Sequence, residues 1–254
     1  MEKSTISETK AKGPTVPSIP SAERRLFLRH LGIFAASTTS FLMACSKSLD
    51  LSPTGGSMAH SGARVNADGS IDLGAGDIGI LNYAYALEQL ETAFYTLAQE
   101  KTAGLTFNEL QILQEIREHE LVHREFFRAV LGANAIPDLD FDFSTVNFND
   151  RNNVFQVANI LESTGVGAYN GAARYIKNAD IIGIAGKIVS VEARHASVTG
   201  HMYLPLPGST YSFGFGTTDS NGLDIVYKPS EVLPVAQGFI KQKLSGANLP
   251  TTNA

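Results

Sequence analysis

From residue 77 onward the apolar positions fall into four long stretches at helical spacing. They predict helices over about 77–101, 107–131, 151–178 and 180–203. The third carries the stripe Val154, Val157, Leu161, Ala168, Ala172, Ile176, and the fourth Ile181, Ile184, Ile188, Val191, Val198, Met202. Thr106-Phe107-Asn108-Glu109 reads as a capping box that starts the second helix, and Gly132 stands where a terminating glycine belongs. Asp180 is placed to cap the fourth, which ends ahead of Pro205 and Pro207. Short joints between helices one and two, and three and four, imply two antiparallel hairpins. A crossover over residues 133–150, with Pro137 and a mixed Asp/Phe run, joins them. The expected fold is an all-α four-helix bundle (77–203) with one long crossover. Residues 204–254 form a loop-rich C-terminal extension, with loop or short strands over 204–229 and a short helix over 230–243 despite Pro234.

The chain before residue 77 has no such pattern. Residues 1–22 are polar. Arg24-Arg25-Leu26-Phe27-Leu28-Arg29 then precedes a short apolar run, Leu31 to Ala44, which together resemble a twin-arginine export signal. Leu42-Met43-Ala44-Cys45 resembles a lipoprotein cleavage box with Cys45 as the lipidated residue, so residues 1–44 are expected to be a removable signal. Residues 45–76, rich in Ser, Gly and Ala, are expected to be a flexible tether. This predicts a bacterial envelope location, exported and anchored to a membrane by lipid, on the periplasmic side or at the outer membrane.

Charge and cysteine content narrow the chemistry. The net charge is −5, and removing residues 1–44 leaves 14 basic and 22 acidic residues, a net of −8. That argues against nucleic acid as a partner. A single cysteine excludes an internal disulfide, a cysteine-based zinc site and an iron–sulfur cluster.

Two Glu-x-x-His motifs, Glu120/His123 and Glu192/His195, lie on the second and fourth helices, and residues three apart share a helix face. A two-metal carboxylate site in a bundle takes one such motif from each of two helices and a lone Glu from each of the others. Glu88 and Glu162 fill those places. The lone Glu precedes the paired Glu by 32 residues in the first hairpin and 30 in the second. Each lone Glu is followed seven residues later by a tyrosine, Tyr95 or Tyr169, so the hairpins repeat one another. Glu162 and Glu192 are the only acidic residues over 151–178 and 181–203, and both sit in apolar surroundings. A buried carboxylate is costly unless it is paired or binds a metal.

Rival readings are ordinary solvated glutamates, or a buried salt-bridge cluster using Arg124 or Arg194. Four carboxylates and two histidines at matching positions weigh against both. Glu91 shares the face of Glu88 and is either a group behind the ligands or a ligand in its place; the tyrosine spacing favours Glu88. Tyr95 and Tyr169 read equally as core packing or as hydrogen-bonding or redox groups. His119 and Glu118 read as surface residues.

With Glu88…Glu120-x-x-His123…Glu162…Glu192-x-x-His195, residues 77–203 resemble the ferritin-like superfamily. Ile80-Leu81-Asn82-Tyr83-Ala84 and Leu87-Glu88-Gln89-Leu90-Glu91-Thr92-Ala93-Phe94-Tyr95 look like bacterial ferritin-like domain proteins related to plant desiccation-related proteins. The resemblance implies relatives that store iron, reduce peroxide or act as manganese catalases. The paired cysteines of a rubrerythrin's rubredoxin module are absent from this sequence, and a lipid-tethered subunit fits a closed storage cage poorly.

Carboxylate and imidazole ligands together suit iron, manganese or zinc. The expectation is therefore two metal ions, iron first and manganese second. Glu120 and Glu192 would bridge them, Glu88 and Glu162 would be terminal, and O₂ or peroxide would be the small-molecule substrate. The function expected is metal oxidation or peroxide defence at the envelope, by ferroxidase, peroxidase or catalase-like turnover. The alternative is a stress-protective or structural envelope protein whose metal site is structural or idle. Assembly into a homodimer is left open.

Overall fold

The computed structural model describes residues 62–203 and 218–251. The export signal, Cys45, residues 46–61 of the expected tether and residues 204–217 of the extension lie outside the described residues.

Four helices make the bundle: α1 (Gly76–Lys101), α2 (Phe107–Leu131), α3 (Arg151–Ala172) and α4 (Ala179–Tyr203). α1 packs along α2 and α3 along α4, and the two hairpins meet chiefly where α1 faces α3. The capping box at α2 forms as the sequence implies, with the Thr106 amide donating to Glu109 Oε2 at 2.8 Å and the Glu109 amide to Thr106 Oγ1 at 3.3 Å. Gly132 ends α2 at φ 52°, a backbone angle that L side chains seldom adopt.

α1 differs from its neighbours. Every residue from 78 to 92 is buried, so this helix lies inside the protein on all sides. Its polar side chains must then find partners within the fold. The Asn82 amide donates to the carbonyls of Leu73 and Asn134 and accepts from the Ile136 amide. Gln89 accepts from the Leu139 amide and donates to the Pro137 carbonyl. These bonds fix the start of the crossover against α1.

Four sequence expectations are corrected. α3 does not continue to residue 178. It stops at Ala172, passes through a 3₁₀ turn (Ala173–Tyr175) and becomes extended at Ile176. The break lets the amides of Lys177 and Asn178 donate to the Asp77 carboxylate at the start of α1. The cap of α4 is Asn178, whose Oδ1 accepts from the amides of Asp180 and Ile181, so Asp180 is not the cap.

The tether reading fails for its last part. β1 (Arg64–Val65) and β2 (Ile71–Asp72) pair antiparallel, and β3 (Leu244–Ser245) pairs parallel with β2. Asp72 is buried there and receives Arg64 Nε at 3.1 Å, Asn248 Nδ2 at 2.7 Å and the Gly74 amide at 3.0 Å. Partnered burial orders the segment despite its composition.

In the extension, α5 (Pro229–Gln237) is shorter than expected. Ahead of it the chain lies directly on α3. The Tyr227 amide donates to the Gly167 carbonyl at 2.9 Å, and a Cβ at Gly171 would meet the Tyr227 carbonyl oxygen at 1.7 Å. Those glycines admit backbone against backbone. Among the described residues no helix is long and apolar enough to cross a membrane.

Candidate metal centre

The six residues singled out by spacing come together in one buried cluster. Each hairpin supplies half. Glu88 projects from α1, Glu120 and His123 from α2, Glu162 from α3, and Glu192 and His195 from α4. All four carboxylates are 0 % exposed, while the His195 and His123 side chains keep 6 % and 11 % of their surface. The imidazoles therefore mark the boundary of the cluster and the carboxylates its interior.

Two overlapping sets of four can each hold an ion: Glu88, Glu120, His123, Glu192, and Glu120, Glu162, Glu192, His195. Within the first, His123 Nδ1 stands 3.4 Å from Glu88 Oε2, 3.4 Å from Glu120 Oε2 and 3.0 Å from Glu192 Oε1. Within the second, His195 Nδ1 stands 2.7 Å from Glu120 Oε1, 3.5 Å from Glu162 Oε2 and 3.9 Å from Glu192 Oε2. Glu120 and Glu192 thus give one oxygen to each set, which is the arrangement of bridging carboxylates.

The direction of these atoms matters as much as their distance. Glu88 Oε2, both oxygens of Glu120, Glu162 Oε2, both oxygens of Glu192, and Nδ1 of His123 and His195 are buried without an aligned hydrogen bond. They crowd one another but point to common centres. Apart from ion pairs with the two imidazoles, nothing in the protein offsets the burial of these eight atoms. The donor set is what a pair of ions would satisfy, so the residues present fit two metals.

The remaining oxygens of Glu88 and Glu162 are taken. Tyr95 Oη donates to Glu162 Oε1 at 2.5 Å, and Tyr169 Oη donates to Glu88 Oε1. Each tyrosine crosses to the other hairpin. Of the two readings left open for them, the hydrogen-bonding role is what the structure displays. His195 is held in the same way on its far side, where His119 Nδ1 lies 2.9 Å from His195 Nε2, with the rings 5.1 Å apart and nearly parallel. His119 is exposed as expected, but it is joined to the cluster. Its spacing of four residues from His123 puts both on one helix face, a sign that the surface reading passed over.

Glu91 also enters the cluster. It is 3 % exposed, and its electrostatic neighbours are Glu162, Glu192, Glu120 and Glu88. Glu118 pairs with Arg117 at the surface. Arg124 pairs with Glu125, and Arg194 bonds Ser190, so neither arginine neutralises the cluster. The reading in which Arg124 or Arg194 pairs these carboxylates is thereby excluded.

In the metal-free protein the cluster stores protons. Burial pushes Glu88 up to about 7 against the pull of His123. Burial and the neighbouring carboxylates raise Glu91 and Glu192 well above the usual range. Burial also raises Glu162. Burial opposes ionisation of Glu120 too, but His123 and His195 outweigh it and bring Glu120 down to about 2. The imidazoles move the other way: burial lowers them, yet the carboxylates around them raise His123 to about 12 and His195 to about 10.

A family model described as a ferritin-like domain matches residues 76–203, just over half of the chain. No curated protein matches it.

Proposed function

The chain belongs to the ferritin-like domain family, and on that premise we propose that its buried cluster is a two-metal carboxylate centre that holds iron, or else manganese, and serves metal oxidation or removal of peroxide. The observation that carries this reading is the set of eight buried, unsatisfied ligand atoms divided into two overlapping groups of four. Bound iron or manganese supplies the exchange of electrons with O₂ or peroxide.

The protein's own residues do the rest. Glu120 and Glu192 span the two positions. Glu88 and Glu162 close the ends, each steadied by the tyrosine of the opposite hairpin. His123 and His195 present Nδ1 inward, which requires the proton on Nε2; for His195 that proton goes to His119. Complete burial of the carboxylates keeps bulk water away from the centre.

The test is metal content. Protein reconstituted with iron or with manganese should hold close to two equivalents per chain, and Glu162→Ala should lose much of the metal-dependent rise in melting temperature. Less than half an equivalent of either metal would overturn the reading. Loading without redox turnover would leave a structural site in a stress-protective protein.

The export motif at Arg24-Arg25 and the box ending in Cys45 support a second part of the proposal, a lipid-anchored envelope location. Cys45→Ser should release the protein from the membrane fraction, and unchanged association would sink the anchor.

A further inference from the structure

The two hairpins repeat one another in their ligand and tyrosine spacing but differ beside the lone glutamates. Three residues after Glu88 stands Glu91, and three residues after Glu162 stands Gly165. The glycine is matched to the glutamate: a Cβ on Gly165 would lie 3.2 Å from Glu91 Oε1 and 3.7 Å from Glu192 Oε2. Glu91 therefore reaches from α1 across to α3 and occupies the space the second hairpin leaves by lacking a side chain. Its carboxylate arrives beside a bridging glutamate.

The rest of buried α1 gives Glu91 no other employment. Asn82 and Gln89 bind the crossover, Thr92 donates to the Glu88 carbonyl, and Glu88 accepts from Tyr169. Glu91 is buried, and the charged groups nearest its carboxyl are Glu162, Glu192, Glu120 and Glu88. Tyr83, whose hydroxyl is buried without a hydrogen bond, does not pair with it.

Charge then decides what such a group does. Four carboxylates with two neutral imidazoles balance two divalent ions. A fifth carboxyl stays protonated beside divalent ions and, once ionised, supplies the further negative charge that a trivalent ion needs. We propose that Glu91 is a fifth carboxylate of the centre, placed on the Glu192 side, and that it biases the site toward one trivalent ion in place of a divalent one. This rests on the two-metal reading and adds to it a preference in oxidation state.

Redox-inert ions separate the two ideas. Wild type, Glu91→Gln, Glu91→Asp and Glu100→Gln would each be titrated with Zn(II) and with citrate-buffered Ga(III), bound metal being measured by elemental analysis. Glu100 is an exposed glutamate of the same helix and controls for loss of charge alone. Glu91→Gln should still take two zinc ions, while its affinity for gallium relative to zinc falls at least about tenfold, as removal of a charge a few ångströms away demands. Glu91→Asp and Glu100→Gln should keep the wild-type ratio. An unchanged ratio in Glu91→Gln, or an equal loss in Glu91→Asp, overturns the proposal. Failure of wild type to bind either ion overturns the two-metal reading instead.

Discussion

Tyr95, on the first hairpin, donates its hydroxyl hydrogen to Glu162 on the second at 2.5 Å, and Tyr169 returns the same bond to Glu88. Each lone glutamate thus accepts a hydrogen bond from the opposite hairpin. Tyr95→Phe would leave Glu162 Oε1 buried without a donor and free the carboxylate to turn. Metal affinity should drop about 10- to 100-fold, the usual effect of removing a group that orients a ligand. Tyr169→Phe should match it. Calorimetric titration with zinc reads both, and wild-type affinity in either variant would reduce that tyrosine to packing.

His119 serves one position only. Its bond to His195 Nε2 has no counterpart among described residues at His123, so His119→Ala should weaken one of the two binding steps about tenfold and spare the other. His119→Gln, which can still accept a hydrogen bond, should recover part of the loss. Equal weakening of both steps would argue against a specific hold on His195.

Acidity should act in opposite senses with and without metal. His123 and His195, raised from 6.5 to about 12 and about 10, stabilise the metal-free fold fully below 6.5 and lose that contribution as pH climbs toward the raised values. Glu88, raised from 4.5 to about 7, and Glu91, Glu162 and Glu192, also raised, work in the same sense above 4.5. Glu120, lowered to about 2, opposes them only below 4.5. Metal-free protein should therefore melt at progressively lower temperature from about pH 5 to pH 9. Metal must displace those protons, so its stabilising effect should grow over the same range. Melting curves that rise together with pH in both forms would contradict this.

Two helix glycines should respond with opposite signs. Gly171→Ala drives a methyl into the Tyr227 carbonyl and should cost about 1–3 kcal/mol, a loss of several degrees in melting temperature. Gly183 of α4 has nothing within 4 Å of its Cβ position, so Gly183→Ala should stabilise by about 0.5–1 kcal/mol. Thermal denaturation of the two variants decides it, and a neutral Gly171→Ala would mean that Tyr227 yields easily.

Periodicity and motif spacing made the bundle and the six residues of its buried cluster legible in the sequence because both are repeats within a helix. What escaped notice depends on contacts between distant segments. β1 and β2 are two residues each, too short for alternation to register, and are ordered by partners as remote as Asn248. Asn178 outcompetes Asp180 as a cap because Asp77, a hundred residues earlier, takes the preceding amides. Glu91 shared a face with Glu88 in the sequence, but its match to Gly165 exists only once the hairpins are packed.

The enclosure of α1 has a kinetic corollary. Between residues 78 and 92 this helix presents no face to solvent, and Glu88 lies in its middle. An ion held there would have no exit on the α1 side until a neighbouring helix, the crossover or the extension lifts away, and the same excursion exposes the amides of α1 to exchange with solvent. The lifetime of bound metal and the slowest amide exchange rates of α1 should thus report a single opening free energy.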